Sequence, residues 1–374
     1  MKFLKPVCAA ALLACVASGA SAQAASNLTV YGSIDQYMNY MQSSSGTTVR
    51  SLEDGAILRS RLGFRGASEE LAPGVNAKFQ LELGMSTDTG ANADATRNLD
   101  RQSWVGVASS NYGEVRIGRQ NGPIFARGGW IDYTTRTLGS VINAFGVPAR
   151  YDNTLSYQAP RMAGVQFEVH ASLPETARGN DAMVWQTSVD YVNDSMRFGY
   201  MGLRAKPEIG ATVSRDVVYD NLFANWIYSK GTVYVAWVQS NNNTSNATSN
   251  NAGSIVSNVG GFNAGTNADL NNFYKIVQIS ADYRLTDQFR IGGLWGRIND
   301  QSGRARSADG GSIGGYYDLS KRTTIQGLFQ ILNNDTNGGW RPSGSAGLKS
   351  TFTAPADING STIKGVEVGI VHKF

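Results

Sequence analysis

Arg59, Arg61 and Arg65 stand at odd positions with Gly63 between them, while Leu58, Ser60, Leu62 and Phe64 fill the even ones. Side chains two apart share a face of a β-strand, so this spacing makes a row of cations backed by a mostly apolar row. Such a row does electrostatics rather than bond-making: guanidinium groups stay charged, concentrate anions in nearby water and repel cations. The same arithmetic puts Lys78 and Glu82 with Asn76 and Gln80, opposite Val75, Ala77, Phe79 and Leu81. It puts Arg101 with Ser103 opposite Trp104, and Arg150 with Asp152, Thr154, Ser156 and Gln158 opposite Tyr151, Leu155 and Tyr157. Arg116 and Arg119 lie on the segment between those two. The competing role for every one of these cations is structural, as a partner of Glu82, Glu114, Asp35 or Asp152.

Catalytic sets are missing. The two histidines, His170 and His372, are isolated, and Cys8 and Cys15 both fall in the amino-terminal leader, so neither a metal site nor thiol chemistry is expected. No glycine-rich loop opens a helix, and Ser361-Thr-Ile-Lys364 begins a strand without a partner motif. We therefore expect no enzyme, no cofactor and no metal. A net charge of +4 is too weak to suggest nucleic acid.

The elements that must hold the cations read as strands. From Asn27 onward, segments of about ten residues alternate in polarity between turn residues. Short connections are expected at 68–74, 110–113, 161–164, 192–195, 229–231, 285–288 and 319–322. Long ones are expected at 42–54, 86–98, 121–149, 174–182, 205–213, 240–271, 299–308 and 333–361. Together they imply an all-β chain of sixteen antiparallel strands, with turns at one end and loops at the other. In Val366–Phe374, Val366, Val368, Ile370, His372 and Phe374 share one face and Glu367, Gly369, Val371 and Lys373 the other, and this last strand pairs with the first to close a barrel. No later segment has the ~18 apolar residues of a spanning helix. Arginine on the lipid face near mid-membrane costs about 2–4 kcal/mol, which turns the arginine rows toward the lumen. Tyr31, Trp104, Trp237 and Trp295 are expected as an outer aromatic girdle. Residues 1–22, with Lys2, Lys5, an apolar run and Ala20-Ser21-Ala22, form a secretory signal, leaving 23–374 as one barrel domain.

Several stretches resemble the general bacterial (Gram-negative) porin family, in its Neisseria- and Bordetella-like β-proteobacterial branch. They are Asn27-Leu-Thr-Val-Tyr-Gly-Ser-Ile-Asp; Ser60-Arg-Leu-Gly-Phe-Arg-Gly through Ser68-Glu-Glu-Leu-Ala-Pro-Gly to Val75-Asn-Ala-Lys-Phe-Gln-Leu-Glu; and Asp100-Arg-Gln-Ser-Trp-Val-Gly-Val through Gly113-Glu-Val-Arg-Ile-Gly-Arg-Gln. Arg150-Tyr-Asp-Asn-Thr-Leu-Ser-Tyr-Gln-Ala-Pro, Leu319-Ser-Lys-Arg-Thr and the terminal Val371-His-Lys-Phe match as well. The resemblance implies an outer-membrane homotrimer of sixteen-stranded barrels in lipid and lipopolysaccharide, passing small hydrophilic solutes and inorganic ions. It also implies that the third external loop folds into each pore. Arg61, Arg101 and Arg150 match the arginines on the wall facing that loop, which carries Arg127, Asp132 and Arg136. Many relatives have several acids there; here Asp132 is the only one, which points to anion preference. Asp132 could face the pore or pair with a wall arginine. The loop's Phe125, Trp130, Tyr133 and Phe145 allow a second reading, a track for a specific sugar or organic anion, or else simple packing against the wall. A third reading is a surface adhesin using the Asn- and Ser-rich loop at 240–271.

Overall fold

The computed structural model describes residues 27–173, 183–205, 217–241, 273–347 and 350–374, apart from the side chain of Glu69. The first half forms β1 Thr29–Ser43, β2 in two pieces Thr48–Asp54 and Arg61–Ala72, β3 Val75–Ser86, β4 Gln102–Ser109, β5 Gly113–Asn121, β6 Arg150–Gln158, β7 Val165–Ser172 and β8 Val184–Val192. The second half forms β9 Met196–Ala205, β10 Val217–Tyr228, β11 Gly231–Ser240, β12 Tyr274–Arg284, β13 Phe289–Asp300, β14 Ala308–Ser320, β15 Thr323–Asn334 and β16 Thr362–Lys373.

Consecutive strands pair antiparallel, and β16 returns to β1 through Gln36↔Ile370 and Met38↔Val368. Both pieces of β2 pair with β1, and a two-residue strand, Ala91–Asn92, pairs only with the end of β3. The ring therefore has sixteen strand positions, as the sequence predicts. Closure extends to the last residue: the Gly32 amide donates to the Phe374 carbonyl at 3.1 Å, and the Phe374 amide donates back at 3.2 Å. Val366, Val368, Ile370 and Phe374 are exposed outward while Glu367 and Val371 are buried, which is the expected phase. Among the described residues no helix is long and apolar enough to cross a membrane. The signal segment 1–22 and most of the expected connections at 174–182, 205–213 and 240–271 lie outside the described residues.

Four expectations are corrected. First, no long connection spans 42–54: β1 turns tightly into the first piece of β2, and the irregular stretch comes afterwards, at 55–60. That break exists because Asp35 Oδ2 accepts the Ile57 and Leu58 amides at 2.7 Å each, drawing the chain out of the ladder. Arg59 lies in the break and not on a strand face with Arg61. Second, β2 continues through irregular pairing to Ala72, so the turn is only 73–74. Third, β4 has the opposite phase: Gln102 and Trp104 pair with Glu82 and Gln80 and point inward, while Val105 and Val107 are exposed outward. Arg101 precedes the strand and reaches the interior from its end. Fourth, a register shift between Gly118 and Gln120 and a φ of +50° at Asn153 interrupt alternation in β6, burying Tyr151. Tyr31, expected on the outer girdle, instead pairs with Gly63 and faces inward, where it reaches Glu82; Trp237, beside exposed Leu222, and Trp295 lie on the outer surface.

The largest buried cluster joins the connection between β5 and β6 to the inner sides of β8–β15. That connection holds two short helices, α1 Pro123–Ala126 and α2 Val141–Phe145, and a 3-10 turn Gly128–Trp130. Tyr133, Val141, Ile142 and Phe145 pack with Tyr274, Ile276, Leu294, Ile298 and Trp340.

Candidate functional site

Glu82, on the inner face of β3 and 2% exposed, collects the cations. Arg101 Nε hydrogen-bonds its carboxylate, Arg61 Nη1 lies 3.6 Å away, and Tyr31 Oη donates at 3.0 Å. Arg150 is close enough to interact electrostatically with Glu82, Arg101 and Arg61. Three of the residues matched through family resemblance thus meet around a single acid. Arg150 Nε and Nη2 are buried without a hydrogen-bond partner among the described residues. Its guanidinium instead lies over the Phe125 ring at 4.4 Å, and Arg136 lies over the same ring at 4.5 Å. An aromatic face attracts each cation and offers a compromise where both cannot be paired with acids.

The other wall cations fall into separate groups. Arg119 and Arg97 share Asp152 at 2.5 and 2.9 Å. Lys78 and Arg116 share Glu114 at 3.0 and 2.6 Å, with Arg116 also over the Trp104 ring. Arg65 lies over Tyr31 at 5.2 Å. Arg59 donates to the Ala346 carbonyl at 2.7 Å and to that of Ala93 at 3.3 Å, stitching the β2 break to two connections. Along this wall, guanidinium and ammonium groups outnumber the carboxylates they contact.

The long connection is fastened at several points. Arg127, buried, donates to Glu168 on β7 at 2.7 Å and to Asp190 on β8 at 2.9 Å. Asp132 is fully buried and accepts from Thr134, the Arg136 amide, Ser140 and Gln278 Nε2, the last at 2.8 Å from β12. A carboxylate so enclosed presents little charge to water. The Tyr133 amide meets Ser280 at 3.3 Å, and its hydroxyl meets Ser312 on β14 at 3.0 Å. Burial lowers the Arg136 guanidinium to about 10, which leaves it charged at neutral pH. Tyr133 and Phe145 are fully buried, with no ring face free for a solute.

The Gram-negative porin family model matches residues 9–337. The chain belongs to the Gram-negative porin family. An outer membrane porin protein of Bordetella pertussis is 30% identical over 248 residues, 61% of this chain, and the match spans 62% of that relative's length. Outer membrane porin protein 32 of Delftia acidovorans is 25% identical over 379 residues, covering 97% of this porin and 98% of the relative. Among solved structures, an anion-selective porin from Comamonas acidovorans superimposes with a TM-score of 0.70 at 20% identity, over 94% of this chain and 100% of that one. The trimer form of OmpT from Vibrio cholerae gives 0.62 at 12% identity, over 94% and 100%. The porin is accordingly an outer-membrane β-barrel.

Sequence reasoning overlooked the role of Phe125 as a shared platform, and it overlooked Arg97. It also missed Arg290, which bridges Asp282 at 2.8 Å and the Tyr133 carbonyl at 2.9 Å. The usable signal was apolar inner positions: Tyr234, Ala236 and Val238 lie on the side of β11 that should be polar, because a covering segment packs there.

Proposed function

We propose that this porin is a water-filled channel for passive diffusion of small hydrophilic solutes and inorganic ions, that it prefers anions, and that it works as a homotrimer. The observation that carries the anion preference is the gathering of Arg61, Arg101 and Arg150 around Glu82 alone. The buried state of Asp132 supports it, since the loop offers no acid to offset them. The anion-selective Comamonas porin and the trimeric form of OmpT, which share this chain's fold, support the same preference and assembly. In this reading the 122–149 connection narrows the pore. In support, it leaves β5 and bonds to β12 and β14, about half the ring away. Cleavage after Ala22 completes the reading as export.

A ring of cations in wet surroundings biases traffic without trapping it. One pair of unit charges at about 4 Å is worth roughly 1 kcal/mol in bulk-like water, and the field decays over about 8 Å at physiological salt. Reversal potential across a bilayer under a KCl gradient tests this: anion preference is expected, and clear cation preference would overturn it. Arg61→Glu and Arg101→Glu should each move the potential toward cation selectivity, and a saturable, sugar-blockable current would favour the solute-specific reading instead.

A further inference from the structure

The outer surface of β12–β16 carries a groove. Tyr283, Ile291, Gly315, Gly327 and Val368 pair in one row across these strands, all on the outward side, so two glycines stand side by side in the middle. A methyl group on Gly327 would meet only the Glu367 carbonyl, at 3.9 Å, so the floor is open there, while one on Gly315 would meet the edge of the Phe289 ring at 3.1 Å. Ile313, Phe329, Val366 and Phe289 rise around it and enclose about 690 Å³ of mainly apolar space.

What stands at the foot of the groove identifies its occupant. Four residues from Gly327 toward the short-turn end, about 13 Å of strand, lies Thr323. Lys321, Arg322 and His372 lie there, all exposed and without an ion pair among the described residues. His372 Nδ1 is engaged by Thr323 Oγ1 at 2.8 Å. Asp318, at the same turn, is occupied by Arg284 and Thr324, and Asp287 on the neighbouring turn faces Lys230. Short turns of such barrels face the periplasm. An apolar channel ending in unpaired cations at the membrane surface matches a molecule with a hydrocarbon chain and a phosphate.

We propose that this face binds an anionic phospholipid of the periplasmic leaflet, with an acyl chain on the Gly315–Gly327 floor and the phosphate at Lys321 and Arg322. Porin extracted from outer membranes, incubated in mixed micelles of phosphatidylglycerol or phosphatidylcholine and weighed by native mass spectrometry, should retain phosphatidylglycerol selectively. Lys321→Glu and Arg322→Glu should each lower that retention about fivefold and leave conductance unchanged. Gly315→Leu and Gly327→Leu should abolish it by filling the floor. Equal retention of the two lipids, or indifference to the charge reversals, overturns the proposal. So does loss of the oligomer with lipid retained in the glycine variants, which would make the groove a barrel-to-barrel contact. Where a glycine variant fails to fold, the two turn variants decide, because they sit outside the ladder.

Discussion

At Glu82 a single carboxylate must serve Arg61, Arg101 and the Tyr31 hydroxyl, with Arg150 held nearby on Phe125. Removing its charge leaves the guanidinium groups uncompensated. Glu82→Gln should therefore push the reversal potential further toward anion selectivity in the KCl gradient. A shift toward cations would mean that these side chains do not border the solute path. Asp132 differs in kind: donors surround its carboxylate, and its residue number alone could not tell a pore-facing acid from an enclosed one. The sequence singled out cations that the fold gathers near one acid, yet their partners come from strands distant in the chain. Arg127 meets Glu168 and Asp190 only because the ring brings β7 and β8 to it.

Among the elements, the alternation of β16 was legible to the final residue, and with it closure and the inward phase of Glu367. Phase was lost where a strand begins or bulges. Arg101 lies one residue before β4, so counting in twos from it inverted Trp104, and the irregularity at Gly118–Gln120 with Asn153 did the same to Tyr151. The β2 break was invisible because its cause, the Asp35 carboxylate, sits on another strand. Asp35→Ala would strand the Ile57 and Leu58 amides, and hydrogen bonds to a charged group contribute about 1.5–3 kcal/mol each. The variant should unfold at lower denaturant concentration, as read by the shift between folded and unfolded bands on unheated gels; an unchanged midpoint would mean that the break holds without this carboxylate.

For the whole molecule, the connection between β5 and β6 matters most. Breaking one side of a buried ion pair costs about 3–5 kcal/mol, because the abandoned charge stays buried. Arg127→Met takes one partner from both Glu168 and Asp190, leaving Asp190 to Arg161 and Glu168 to Gln158 and His170, so it should lower the thermal midpoint by less than a full unpairing and make single-channel current noisier. Quiet current with an unchanged midpoint would assign the fastening to Asp132 and Tyr133 instead. A hoop alone is easily flattened into an ellipse, whereas a hoop with a strut between far-apart points keeps its cross-section. The bonds from this connection to Ser280, Gln278 and Ser312 brace the barrel in that way. The segment proposed to set the bore would then also hold it constant, and conductance should vary little when the surrounding bilayer is stretched or compressed.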